Sequence, residues 1–338
     1  MPETRPPWFS LTPTEQAEVL HAMATHLGRR AQILEKDIWL CQVLQTLFAL
    51  PNRKPMAFKG GTSLSKVHQA IERFSEDIDI TIDYRSLLDH EPDLASLSNT
   101  QRKKLSGQIR AALIPHIRDE LLPALHTALG KNLPATDVTL ELSDDAEKLR
   151  VHYPSAVDQP SPYLHSSILI EFGGRNATLP QDLITIEPDI SPLVPQLSLP
   201  SAQVCVLSPL RTFWEKATLI HVECHRPALR AGADRLSRHW YDLARLTRHP
   251  IGQQALANRQ LLHDVLSIKE TFYRSANTHY QHCLSGQFRL IPGDTLLTAL
   301  RADYQAMLDA HMFYGTTLPF DDIITTLTQL EQQLNTPV

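Results

Sequence analysis

An α+β fold, with a mixed sheet and flanking helices followed by a helical C-terminal domain, is predicted by three observations on this 338-residue chain. Residues 77–83 alternate acid or Thr against Ile, the period of a half-buried strand. The apolar run 56–58 stops at Lys59-Gly60-Gly61 and leads into a helix, which makes a strand–turn–helix unit. Beyond Pro200 strand signals largely stop, and apolar residues recur at helical spacing to the end. The expected division is a sheet domain over 1–200, including the N-terminal helices, and a helical domain over 201–338.

Taken in order, residues 13–27 and 31–50 read as packing helices, the second with Ile33, Ile38, Leu40, Val43, Leu44 and Leu47 on its apolar positions. Gly28 is a natural stop for the first. After Pro51 and Pro55 comes the short strand and its glycine turn, and Thr62 or Ser63 is placed to cap the helix that follows. Residues 102–129 read as helix, kinked or broken at Pro115 and Pro123. Residues 138–142 and 149–153 form hairpin arms around Ser143-Asp144-Asp145, and 167–172 is a third, strongly apolar strand. Residues 180–200 form a proline-punctuated crossing segment. Helices are expected over 209–225, 233–248, 260–282, 294–312 and 320–334.

Composition narrows the function. Four scattered cysteines with no CxxC pair suggest neither a disulfide framework nor a zinc ribbon, and fit a reducing compartment. The N-terminus lacks a basic segment leading into an apolar run, and no stretch approaches about 18 apolar residues. A cytoplasmic protein with no membrane partner is expected. A net charge of -5 argues against a general nucleic-acid-binding coat, but residues 226–248 hold six arginines with His225, His239 and Trp240 interleaved. Such a tract can track RNA, guanidinium on phosphate and aromatic on base; a solvated helix face is the equal alternative. The sixteen histidines show no HExxH or similar ligand spacing and read as surface or packing residues.

The chemistry sits in residues 59–79. Gly60 and Gly61 let backbone approach a phosphate without a Cβ in the way, and the amides opening the next helix point at a bound anion. Thr62 and Ser63 add hydroxyl donors, and Lys66 follows on the same helix. Asp77 and Asp79, two apart on a strand, share one face, and carboxylate oxygens at that spacing suit Mg2+. Glu171 ends the one later strand apolar enough to lie centrally. A buried strand rarely carries a lone acid without a partner, so Glu171 beside Asp79 would serve the metal nearer the acceptor hydroxyl, as ligand or base. Each piece alone has a bland reading as a turn, a chance acid pair or an ion pair. Their combination points to nucleotidyl transfer with two Mg2+ ions, or Mn2+ in their place.

Lys59-Gly60-Gly61-Thr62-Ser63-Leu64-Ser65-Lys66 followed by Arg73-Phe74-Ser75-Glu76-Asp77-Ile78-Asp79 resembles the AbiEii/MenT nucleotidyltransferase family of toxin–antitoxin systems. Further landmarks follow in order: Leu34-Glu35-Lys36-Asp37, Val206-Leu207-Ser208-Pro209 with Glu215-Lys216, Trp240-Tyr241-Asp242-Leu243, and Phe288-Arg289-Leu290-Ile291-Pro292. The resemblance implies a DNA-polymerase-β-like nucleotidyltransferase sheet backed by helices. It also implies Mg2+-dependent transfer from an NTP to an acceptor, often tRNA, and a cognate antitoxin. By motif match, Lys216 would contact the triphosphate and Asp242 would complete the site; on the residues alone, a surface ion pair is the simpler reading of both. A protein or small-molecule acceptor, or a binding protein without turnover, stays open. A phosphate on Ser75, two residues before Asp77, would bring negative charge to the metal strand and oppose NTP binding. Accordingly, Ser75→Glu is expected to lower the transferase rate.

Overall fold

The structure is a computed structural model, described over residues 5–133, 137–157, 166–226, 235–315 and 317–336. The chain packs into two compact units: residues 1–62, 76–89 and 108–206 form one, and 63–75, 90–107 and 207–338 form the other.

The first unit opens with α1 (Pro13–Leu27) and α2 (Ala31–Ala49). Thr12 starts α1 with a reciprocal capping box to Glu15, and Gly28, left-handed at φ 62°, stops it. α2 is buried around most of its circumference and packs against α1 and the sheet. The family landmark on it has structural work within this unit. Glu35 accepts from the Ser155 hydroxyl at 2.5 Å and the Ala156 amide at 2.6 Å. Lys36 pairs with Glu76 at 2.5 Å, and Asp37 accepts from the Asp189 amide at 2.7 Å.

The sheet has seven strands: β1 (Met56–Lys59), β2 (Ile78–Asp83), β3 (Thr139–Leu142), β4 (Lys148–His152), β5 (Ser167–Asn176), β6 (Gln181–Ile186) and β7 (Ala202–Leu207). Their order is β3-β4-β5-β2-β1-β7-β6. β2 pairs antiparallel with β1 and parallel with β5, which makes the sheet mixed, as expected from the sequence. Ile78, Ile80 and Ile82 are buried, but so are Thr81 and Asp83, so the half-buried pattern holds only for the strand's first half. Burial raises the pKa of Asp83, but hydrogen bonds from Arg85 and Thr178 outweigh it and hold the carboxyl down at about 2.

Two sequence expectations need correction, and a third, a kink or break in the helix over 102–129, is narrowed. The crossing segment over 180–200 contains the strand β6, and β7 lies beside β1 with Phe58 opposite Val206, so the sheet reaches past residue 200. Between α4 (Asn99–Pro115) and α5 (Leu122–Asn132) the helix does not break; it passes through a π-helical turn, His116–Leu121, directly after Pro115. A proline lacks the N–H for a regular helical bond, and a local π-turn accommodates that loss. Pro123 sits in the first turn of α5, where proline is tolerated.

The second unit holds α6 (Pro209–Cys224), α7 (Arg238–Arg248), α8 (Pro250–Ala257), α9 (Arg259–Phe272), α10 (Asp294–Asp309) and α11 (Phe320–Asn335). Ser208 caps α6 through the Leu210 amide, and Pro209 opens it. α8 was not expected from the sequence, and the helix expected to run to His282 ends at Phe272, where Tyr273, Arg274, Ser275 and Ala276 are exposed and offer no apolar stripe. The core gathers Phe213, Trp214, Trp240, Tyr241, Leu290 and Tyr304. Among the described residues no helix is long and apolar enough to cross a membrane.

Candidate active site

In the sheet unit, β1 delivers the chain to Gly60, whose φ is 84°, a conformation L side chains rarely adopt. Space requires glycine there as well. A Cβ on Gly60 would lie 1.9 Å from Oδ2 of Asp79, so that carboxylate packs directly on the glycine turn. Gly60→Ala is therefore expected to displace the Asp79 carboxylate and cut the transfer rate by about 10²-fold, as misplacement of a catalytic group by an ångström can. Thermal melts should show a loss of only about 1–3 kcal/mol from the strained φ.

α3 (Gly60–Lys66) begins at Gly60 itself, so neither Thr62 nor Ser63 precedes it as a cap. Thr62, third in the helix, donates its hydroxyl to the Asp77 carbonyl at 2.6 Å and ties the turn to the entry of β2. Asp77 stands just ahead of the strand, Asp79 within it. Gly61 and Ser63 are buried early in α3, and Lys66 lies in its last turn.

Strand register explains the rest of this face. Lys59 is opposite Asp79, Asp79 is opposite Glu171, and Glu171 is opposite Lys148, on four adjacent strands. Residues directly opposite share a face, so the sheet carries a transverse row of Lys, Asp, Glu and Lys. The Lys148 ammonium sits 2.7 Å from Glu171. That hydrogen bond and charge, with Asp77 adding to them, raise the pKa of Lys148. Lys148 was missed in the sequence because a hairpin lysine has no motif; only register places it here.

The second unit holds a buried charge cluster. Arg73 forks onto Asp242, with Nε to Oδ1 at 2.6 Å and Nη2 to Oδ2 at 2.7 Å, and Lys216 reaches Oδ2 at 2.8 Å. Asp242 is fully buried, and Lys216 and Arg73 are nearly so, which rules out the surface ion pair that the residues alone suggested. Pairing of the Phe74 amide with the Met312 carbonyl, and of the Tyr314 amide with the Glu72 carbonyl, fixes Arg73. Burial pushes the pKa of Lys216 down, against the opposing pull of Asp242. For Asp242, burial raises the pKa, but Arg73 and Lys216 outweigh it and hold the carboxyl far below the ordinary range. Arg73 was read only as part of a motif; its partner lies 169 residues away, beyond any local spacing.

The basic tract is less available than its sequence suggested. Residues 227–234 lie outside the described residues. Arg226 pairs with Glu223 at 3.1 Å, Arg245 with Glu72 at 2.7 Å, and Arg248 donates to the Thr326 hydroxyl at 2.6 Å. Trp240 is buried and donates Nε1 to the Leu290 carbonyl at 2.9 Å, so it is a core residue and not a stacking platform for bases. Nor are all the histidines isolated: the rings of His221, His225, His279 and His282 neighbour one another, with His225 4.4 Å from His221 and 4.6 Å from His279 between ring centres.

Among the described residues, no three His, Cys, Asp or Glu side chains are gathered as a ready ligand set. Mg2+ does not demand one, since one or two carboxylates plus substrate phosphates suffice. The donors on this face, Asp77, Asp79 and Glu171, are all hard oxygens, and the glycine turn leaves Asp79 room. The residues present therefore fit such an ion.

A family model described as nucleotidyl transferase AbiEii toxin, type IV toxin–antitoxin system, matches residues 42–326. The chain belongs to the AbiEii family. It is thus a nucleotidyltransferase of a toxin family. Among solved structures it is similar to MenT4, a nucleotidyltransferase toxin from Mycobacterium tuberculosis H37Rv. There the identity is 16%, the TM-score 0.50, and the match covers 97% of this chain and 90% of that one. At that identity the similarity bears on the fold, and it agrees with the mixed sheet and helices of this AbiEii-family chain. Terminal uridylyl transferase 4 from Trypanosoma brucei with bound UPU also aligns, over 96% of this chain and 97% of that one, at 11% identity; its TM-score of 0.23 carries no argument. No curated protein sequence matches.

Proposed function

We propose that the chain is an Mg2+-dependent toxin that transfers nucleotides from an NTP to an RNA acceptor, with tRNA as the substrate, and that a cognate antitoxin restrains it. The observation that carries the catalytic reading is the packing of the Asp79 carboxylate on Gly60, with Glu171 in register on the next strand. In this reading Asp77 and Asp79 hold the metal, and Glu171 completes the donor set or takes the acceptor's proton. The chemistry that two Mg2+ ions, or Mn2+, supply when bound there is neutralisation of phosphate charge and activation of the acceptor hydroxyl.

The chain's own residues do the rest. The amides of Gly60, Gly61, Thr62 and Ser63 seat the phosphates, with Lys66 adding charge on the same helix. The Thr62 hydroxyl, already donated to Asp77, acts on the turn rather than on the phosphate. Lys216 neutralises charge developing on the triphosphate as pyrophosphate leaves. Asp242 orients Lys216, consistent with the 2.8 Å contact between them. The tRNA acceptor is supported by the family resemblance more than by the arginine tract, much of which is engaged internally.

The test is incubation of the protein with Mg2+, each α-labelled NTP in turn, and total RNA or total protein, with Asp79→Ala as control. Label on tRNA-sized RNA, lost in the control, supports the proposal and names the nucleotide. Label on protein keeps the transferase and discards the RNA acceptor. No transfer to either removes the support for both acceptors.

A further inference from the structure

We propose that His239 is a triphosphate-binding residue, its Nδ1 giving the phosphate chain of the NTP a second hydrogen-bond partner beside the Lys216 ammonium. The inference rests on the reading that Lys216 contacts that triphosphate.

Position comes first. His239 lies on α7 three residues before Asp242, the spacing at which side chains share a helix face. The imidazole therefore neighbours the carboxylate that holds Lys216 at 2.8 Å. Satisfaction of polar atoms is the second point. Both Asp242 oxygens accept bonds from Arg73, and one also from Lys216, whereas Nδ1 of His239 is shut off from solvent and has no hydrogen-bond partner. Buried polar atoms are nearly always paired, so an unpaired one beside a functional lysine is best explained by a ligand oxygen that completes it. The residue as a whole is partly exposed.

Charge is the third. Lys216 from α6, Arg73 from the segment before β2, and Arg238 and Asp242 from α7 itself all act on the ring, three cations against one anion. A surplus of positive charge around an unfilled polar atom suits a polyanion, because hydrogen bonds to phosphate strengthen when donor or acceptor is charged. Burial and these cations hold His239 neutral in the free enzyme, its pKa well below 6.5. A phosphate placed alongside opposes the effect of the cations, so the bound state holds the proton more tightly than the free state. Affinity for the phosphate chain therefore strengthens as pH falls through the bound-state pKa, and this gain requires the imidazole.

Tripolyphosphate with Mg2+ is a suitable probe, since it lacks a base and is indifferent to which NTP is used. Its binding is measured by calorimetry between pH 6 and 8 on the full-length protein and on His239→Ala, His239→Asn and Lys216→Met, with thermal melts to verify folding. His239→Ala is expected to weaken binding about tenfold, the usual worth of a hydrogen bond to a charged group. His239→Asn, whose amide reaches the place of Nδ1, should recover most of that affinity, but neither variant should keep the wild-type steepening toward pH 6. Protonation of the probe itself is common to all four proteins and cancels in the comparison. If Lys216→Met weakens binding while both His239 variants match wild type at every pH, the role of His239 is overturned and that of Lys216 stands. If Lys216→Met also binds as wild type, the reading on which the inference rests fails with it.

Discussion

Asp79→Asn is expected to lower nucleotidyl transfer by about 10³-fold or more while leaving the melting temperature near that of the wild type. The substitution keeps shape and removes only charge. Metal-assisted charge neutralisation supplies several kcal/mol to such a reaction, and each 1.36 kcal/mol is a factor of about ten in rate. Folding should tolerate the change because Asp79 is itself partly exposed, while β2 is anchored by Ile78, Ile80 and Ile82 on the opposite face. Single-turnover transfer rates measured beside thermal melts check the claim. A variant that melts normally and transfers at more than a tenth of the wild-type rate would remove Asp79 from the metal site.

How much of this was legible in the sequence depends on whether the information is local. The strand–turn–helix around Gly60 and the acid pair after it are local, and the structure has them where the pattern puts them. α1 and α6 begin at the residues their prolines mark, because Pro at the first helical position and a hydroxyl just before it are short-range signals. β6 was hidden for the opposite reason. It is the last strand at its edge of the sheet, with Leu183 exposed, so it lacks the alternation that burial imposes. α8 holds Pro250 and Gly252 within eight residues, both poor helix formers inside a helix, and the proline is tolerated because it opens the helix.

The candidate site divides in the same way. Asp77 and Asp79 announce themselves by spacing. The pairing of Glu171 with Asp79, by contrast, is a property of parallel strand register, and Lys148 enters only through the register of a third strand. Arg73 and Lys216 are joined by one carboxylate, Asp242, 169 and 26 residues away along the chain, and sequence spacing encodes nothing about a cluster of that kind. What the sequence did carry was the residue types; burial, which turns the suggested surface pair into an internal one, is decided by the packing of α6 and α7.

Asp242→Asn is expected to destabilise the helical unit by about 4 kcal/mol, far more than Lys216→Met at the other end of the same contact. Removing the carboxylate charge leaves Arg73 and Lys216 as two buried cations facing each other, and an uncompensated buried charge costs about 3–5 kcal/mol. Removing Lys216 leaves a neutral pair, with Arg73 still forked onto Asp242 at 2.6 and 2.7 Å. Burial outweighs that pairing for Lys216 and depresses its pKa, so its charge opposes folding, and Lys216→Met should stay within about 1 kcal/mol of wild type or exceed it. Activity should follow the reverse logic. Lys216→Met is expected to lose about 10²-fold or more in transfer rate from a well-folded protein, since one charge aimed at a transition state is worth that much.

The pH dependence gives an independent check on the same pair. The folded pKa of Asp242 lies far below its ordinary 3.8, so its contribution to stability is fully present above about pH 5, declines as pH falls below about 4, and disappears only below the folded value. Melts followed by tryptophan fluorescence between pH 3 and 7 report on this unit through Trp214 and Trp240, both buried within it. The wild type should lose stability toward pH 3 more steeply than Asp242→Asn, which has already lost that group, and the two curves should converge as the pH falls. Parallel curves would mean that Asp242 is not the charge holding the cluster. Equal destabilisation by Asp242→Asn and Lys216→Met would mean that Lys216, and not Arg73, is its principal partner.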